Sequence, residues 1–131
     1  MSIWIALDDA TLENGCLYFI PGSHLKTELV NYGIGKNMDG IFTHYSQFTK
    51  VQSVAAPIKV GSCTFHNGLC IHGAGPNMTS GFRRAMTRAF MPNGSTFNGQ
   101  QNVLSDKYYC SLKIGDLLNN ELQNPLIFQR S

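Results

Sequence analysis

Apolar residues along this chain come in short runs, and most runs follow the two-residue period of strands rather than the 3.6-residue period of helices. Ile3 to Asp8 sorts into two faces, Ile3/Ile5/Leu7 and Trp4/Ala6/Asp8, and ends on the acidic pair Asp8-Asp9. Asn14-Gly15 then supplies a turn. Cys16 to Ile20 is nearly all apolar, which predicts a short strand covered on both faces, and Pro21-Gly22 ends it. Val51–Ile58, Gly61–His66, Leu69–Gly73 and Phe82–Met91 read as further strands, the last being the longest. Residues 23–52 are mixed and polar and predict a long loop with one helical turn. So long a loop in a small domain is usually a lid or a binding loop. Residues 92–101 read as a second loop. The period changes in the tail, where Ser105 caps an expected helix over Asp106–Lys113 that stops at Gly115.

Six or so short strands punctuated by Gly, Pro and Asn, with one late helix, predict an all-β fold, an antiparallel sandwich or jelly roll with a short C-terminal helix. An immunoglobulin-like sandwich lacks its Cys…Trp…Cys spacing. The 131 residues suit one domain. A hydrophobic fraction of 43% argues against disorder, and a net charge of +2 without a basic cluster argues against nucleic acid. No apolar stretch approaches a membrane span, and the N-terminus lacks the basic flank of a signal peptide, so cytoplasm is the default compartment. Cys16, Cys63, Cys70 and Cys110 form no C-x-x-C pair and are expected to be reduced.

The histidines are His24, His44, His66 and His72, and no H-x-H, H-E-x-x-H or H-x-D occurs. If Asn67-Gly68 makes a strict two-residue hairpin, His66 faces Leu69 and Cys63 faces His72 across one ladder. His66 and His72 then point to opposite sheet faces and share no metal. Arg83 falls on a face with Ala85, Thr87 and Ala89, where small side chains leave room for a carboxylate or phosphate. Arg84 and Arg88 fall on the other face and are expected in solvent. The plainer readings stand beside these: His72 as a structural histidine, Arg83 paired with a protein carboxylate, Asp8 and Asp9 as turn formers, His24 as a loop residue, and His44 and Tyr45 in solvent. Parity alone leaves a β domain of open function.

Two blocks of this sequence resemble the phytanoyl-CoA dioxygenase family of iron(II)/2-oxoglutarate oxygenases. The first runs from Trp4 through the acidic strand end, Asn14-Gly15 and the apolar strand to Pro21-Gly22-Ser23-His24. The second is Phe65-His66, Gly68-Leu69, Ile71-His72-Gly73, Gly75, Asn77, then Gly81-Phe82-Arg83. The tail, with Gly115-Asp116 and Asn124-Pro125-Leu126, looks like that of many members. The resemblance implies a double-stranded β-helix (a cupin-like jelly roll) with His72 as a ligand of Fe(II). It also implies Arg83 as the clamp on the distal carboxylate of 2-oxoglutarate and Trp4 as a wall of the cofactor pocket. A small organic or acyl substrate would be hydroxylated, with ascorbate as accessory reductant. Imidazole suits Fe(II), and a guanidinium fork suits a carboxylate. Ala74 departs from the family, where Ser often donates to the co-substrate.

The facial triad of such enzymes needs a second His and a carboxylate, which the family carries in an H-x-D motif roughly sixteen residues before the tryptophan. Only three residues precede Trp4 here. The expectation is therefore that residues 1–131 are the C-terminal part of one such domain, incomplete at its N-terminal side, with no catalytic residue of its own assigned and no turnover alone. Expected partners are a small-molecule substrate, with neither nucleic acid nor membrane, and the oligomeric state is open. The alternative is a non-catalytic jelly-roll binding domain that has lost its metal.

Overall fold

β-branched and aromatic residues make the strands, and glycine and asparagine turn them. The computed structural model describes residues 1–26 and 40–129. Its strands there are β1 (Ser2–Ala6), β2 (Leu17–Phe19), β3 (Val54–Ala56), β4 (Cys63–His66), β5 (His72–Ala74) and β6 (Ala85–Ala89). They form two antiparallel three-stranded sheets, ordered β4-β1-β6 and β3-β2-β5. The long loop holds more helix than one turn: 3-10 turns at Ser23–Leu25 and Ser46–Phe48, and the short α1 at Gly40–His44. Part of that predicted loop, residues 27–39, lies outside the described residues.

The register decides which side chains face each other. Trp4 stands opposite Thr64 and Thr87, Ser2 opposite His66 and Ala89, and Ala6 opposite Ala85. In the second sheet Leu17 stands opposite Ala56 and Ala74, and Phe19 opposite Val54 and His72. Trp4 and Ala6 from the first sheet pack with Cys16 and Leu17 beside the second, joined by Ala10. The two sheets therefore share this core. Burying Trp4 and Leu17 contributes roughly 1.5–3 kcal/mol each. A second cluster, Ile20, Tyr45, Phe48 and Ile71, closes the far end of β2. Tyr45 is thus a core residue rather than a solvated one.

The turn after β1 forms as the sequence predicts. The Asn14 side chain accepts from the Thr11 amide at 2.7 Å and donates to the Asp9 carbonyl at 2.8 Å. Gly15 sits at φ +88°, and a Cβ there would lie 2.5 Å from the Gly75 carbonyl oxygen, so only glycine fits. The Asn67-Gly68 hairpin does not form. The Leu69 amide binds the Asn67 side chain and the Cys70 amide binds the Asn67 carbonyl, which shifts the turn one residue along to 67–70. Beyond it the Ile71 carbonyl accepts from the Ile20 amide, and β5 joins β2 rather than β4. The chain crosses from one sheet to the other at the point where the sequence signals a return within one.

Chain contacts divide the protein into two units, Met1–Phe90 and Met91–Ser131. The second holds α2 (Asp106–Ser111), capped by Ser105, whose hydroxyl accepts from the Tyr108 amide. Phe97 is buried and meets Tyr109 edge-on at 5.8 Å. The helix ends two residues before the predicted Lys113, because the Asp116 carboxylate takes the Lys113 amide at 2.7 Å while Leu112 is already extended.

Candidate functional site

Sheet crossing brings the two strand histidines together. His66 stands at the end of β4 in the first sheet and His72 at the start of β5 in the second. Their ring centroids are 4.4 Å apart, tilted by 54°. Phe19 of β2 packs against both, 5.2 Å from His66 and 5.8 Å from His72. The parity expectation that His66 and His72 point to opposite faces is therefore corrected. It treated β4 and β5 as one ladder, whereas facing sheets turn two strand ends into one cluster. A cleft of about 590 Å³ opens beside it, lined by Phe19, His24, Thr64, His66, Asn67 and Cys70.

The tautomer of His72 follows from its partner. Its Nδ1 lies 2.8 Å from the Cys70 carbonyl oxygen, which can only accept. Nδ1 therefore carries the proton, and the neutral ring keeps its lone pair on Nε2. His66 is different. Its Nδ1 is buried without a hydrogen-bond partner among the described residues, as is the Thr64 hydroxyl on the same face of β4. Burial lowers the His66 pKa below the usual 6.5, and the charge of a protonated His72 lowers it further.

Two neighbouring arginines take opposite roles. Arg84 binds Asp8 through both ends of its fork, Nε to Oδ2 at 3.0 Å and Nη2 to Oδ1 at 2.8 Å, and its amide adds a third bond at 2.7 Å. Hydrogen bonds from the Arg84 side chain and backbone hold the Asp8 carboxyl down at about 2. Asp9 accepts from Lys59 Nζ at 2.7 Å and from the Val60 amide at 2.9 Å. Asp8 and Asp9 are thus tethers between distant segments rather than turn formers, and Arg84 is exposed but paired. Arg83 instead lays its guanidinium carbon 5.4 Å from the Trp4 ring centroid. Among the described residues no carboxylate pairs with it. Its five donors are aimed over an aromatic wall, in a half-buried position suited to an anionic ligand.

Among the described residues no three of His, Cys, Asp and Glu converge as a metal-binding group. His66 and His72 supply two imidazoles and no carboxylate reaches them, so these residues do not fit a 2-His-1-carboxylate iron centre by themselves. Ala74 turns a methyl toward the first core and donates nothing. The sequence reading missed the neighbourhood of His66. The contact that creates it, between the Ile20 amide and the Ile71 carbonyl, is long-range and leaves no local signal in the sequence.

Comparison with known proteins agrees with the two sequence blocks. The family model described as phytanoyl-CoA dioxygenase matches residues 1–85. A phytanoyl-CoA dioxygenase domain-containing protein 1 homolog of Caenorhabditis elegans is 37% identical over 114 residues, covering 79% of this chain and 38% of the relative. The human peroxisomal phytanoyl-CoA dioxygenase is 33% identical over 94 residues, covering 66% of this chain and 27% of its own length. Among solved structures, the non-heme alpha ketoglutarate dependent carbocyclase SnoK from nogalamycin biosynthesis superposes with a TM-score of 0.70 at 28% identity, over 92% of this chain and 46% of SnoK. The epimerase SnoN, in complex with Fe3+, alpha ketoglutarate and nogalamycin RO, superposes at 0.63 and 25% identity, over 92% of this chain and 47% of SnoN. The chain thus spans less than half the length of each relative. With the model match covering most of the chain, this protein belongs to the phytanoyl-CoA dioxygenase family.

Proposed function

We propose that residues 1–131 are the co-substrate-binding part of an iron(II)/2-oxoglutarate oxygenase domain that acts on a small organic or acyl substrate. Arg83 takes the distal carboxylate of 2-oxoglutarate, Trp4 forms the wall under it, and His72 offers Nε2 to iron. The two three-stranded antiparallel sheets support reading the domain as part of a jelly roll. The observation that carries the proposal is the Arg83 guanidinium stacked over Trp4 without a protein carboxylate among the described residues. Iron(II) would supply the centre at which O2 is activated, with His72 as one of its ligands, and the described residues do not complete its ligand set. The chain by itself is therefore proposed to hold 2-oxoglutarate without turning it over.

Trp4 is the single tryptophan, so its fluorescence reports the proposed site directly. Titration with 2-oxoglutarate is expected to change Trp4 emission saturably, with no succinate released when Fe(II) is added. An unchanged emission overturns the binding assignment. Coupled succinate release overturns the claim that the ligand set is incomplete. Binding by a chain whose natural form also lacks turnover points to the alternative, a binding domain that keeps Arg83 for a carboxylate ligand.

A further inference from the structure

The motif Pro21-Gly22-Ser23-His24 marks this chain as much as His72 does, yet the site described above uses only the His24 side chain, as part of the cleft wall. Ser23 is fully buried and is the one polar side chain among the described residues in that state. Gly22, at φ +73°, turns the chain back so that Ser23 points inward. Both functions of its hydroxyl are engaged. Oγ accepts from the Ile71 amide at 2.8 Å and donates toward Cys70 Sγ at 3.7 Å. Around this contact the Ile20 amide binds the Ile71 carbonyl at 2.9 Å, and Cys70 Sγ reaches the Ile20 carbonyl at 3.8 Å.

The Ile71 amide and the Cys70 carbonyl belong to one peptide unit. That unit is planar and rigid, with its N–H and C=O pointing in opposite directions. Ser23 holds the N–H end, and the C=O end accepts from His72 Nδ1. We propose that Ser23 is a positioning residue for His72: by fixing the Cys70–Ile71 peptide plane it aims the carbonyl that keeps the His72 proton on Nδ1 and the lone pair on Nε2. A hydrogen bond at each end of one peptide also polarises the other, so losing the first weakens the second. A serine is required because an alanine leaves the Ile71 amide unpaired in a buried place, and the peptide then rotates to seek another partner. The inference builds on the assignment of His72 as a ligand, but its test needs neither iron nor 2-oxoglutarate.

The test is nitrogen-15 NMR of the histidine side chains in the 131-residue chain at a pH where His72 is neutral. Wild type is expected to show His72 with Nδ1 protonated as the majority form. Ser23→Ala is expected to lose that majority, with His44 unchanged, and Ser23→Thr, which keeps the hydroxyl, is expected to restore it. If Ser23→Ala does not fold, Ser23→Cys, a weaker acceptor, gives the same comparison with a smaller shift. A His72 tautomer that stays the same across all folded variants overturns the proposal, as does a wild type in which Nε2 carries the proton. A merely structural Ser23 would move the melting temperature and leave the tautomer alone. Failure of 2-oxoglutarate to bind would refute the functional assignment without touching this one.

Discussion

The two ends of β1 are built on opposite principles. Beyond Ala6, both carboxylates are matched: Asp8 with Arg84, Asp9 with Lys59 and the Val60 amide. At Ser2, opposite His66, the inner face ends in a histidine pair beside a cleft, with the Thr64 hydroxyl and His66 Nδ1 unpartnered among the described residues. One end ties the two sheets and their loops together. The other leaves polar atoms ready for something that is not protein, although a buried unpaired group costs about 1–3 kcal/mol. Buried polar groups without partners call for an explanation, which makes this end a candidate ligand site alongside Arg83.

Trp4 lies between the ends and serves both, as core residue and as the aromatic under Arg83. Trp4→Ala is expected to have the largest effect, a loss of about 3–5 kcal/mol in chemical denaturation. A loss below about 1 kcal/mol would show that the two sheets do not share a core. Ser23→Ala comes next, at about 1–3 kcal/mol by the same measurement, since it strands the buried Ile71 amide. Thr64→Val sharpens the contrast from the other side. Removing an already unpaired hydroxyl with its shape conserved is expected to be neutral or stabilising by up to about 1 kcal/mol. A clear loss of stability would mean that Thr64 is satisfied in solution.

The smallest effects separate the ends by pH. His66 has a folded pKa below 6.5, so the unfolded chain binds its proton more readily, and stability falls as the pH drops below about 6.5. Asp8 is lowered from 3.8 to about 2, so its contribution is intact above about pH 4 and is lost as the pH falls toward 2. Denaturation midpoints measured across this range are expected to show two acid steps. His66→Gln removes the upper one, and Asp8→Asn weakens the lower one, which Asp9 shares. Loss of both steps in one variant would contradict their assignment to separate ends.

Much of this was legible in the sequence, and the failures have one cause. Period-two alternation placed β1 and β6, and a short apolar run placed β2, within a few residues, and the Asn14-Gly15 turn and the Ser105 cap stand where their chemistry demands. Parity also grouped Arg83 with Ala85 and Thr87. Parity orders residues only within one sheet, however. Asn67-Gly68 carries the strongest local hairpin signal, yet Ile20 and Ser23 capture the Ile71 backbone and draw β5 into the second sheet. A long-range contact of that kind has no local signature, so the proximity of His66 and His72 was invisible. Asp8 finds Arg84 across 76 residues, which hid its pairing for the same reason.

The account rests on Arg83 being the ligand-binding arginine and Arg84 the structural one. Calorimetric titration of 2-oxoglutarate into wild type, Arg83→Ala and Asp8→Asn tests this most directly. The expected result is saturable binding to wild type, affinity within about twofold of it for Asp8→Asn, and a loss of about 10- to 100-fold for Arg83→Ala, the worth of a charged hydrogen bond. Equal affinity of Arg83→Ala and wild type would contradict the account.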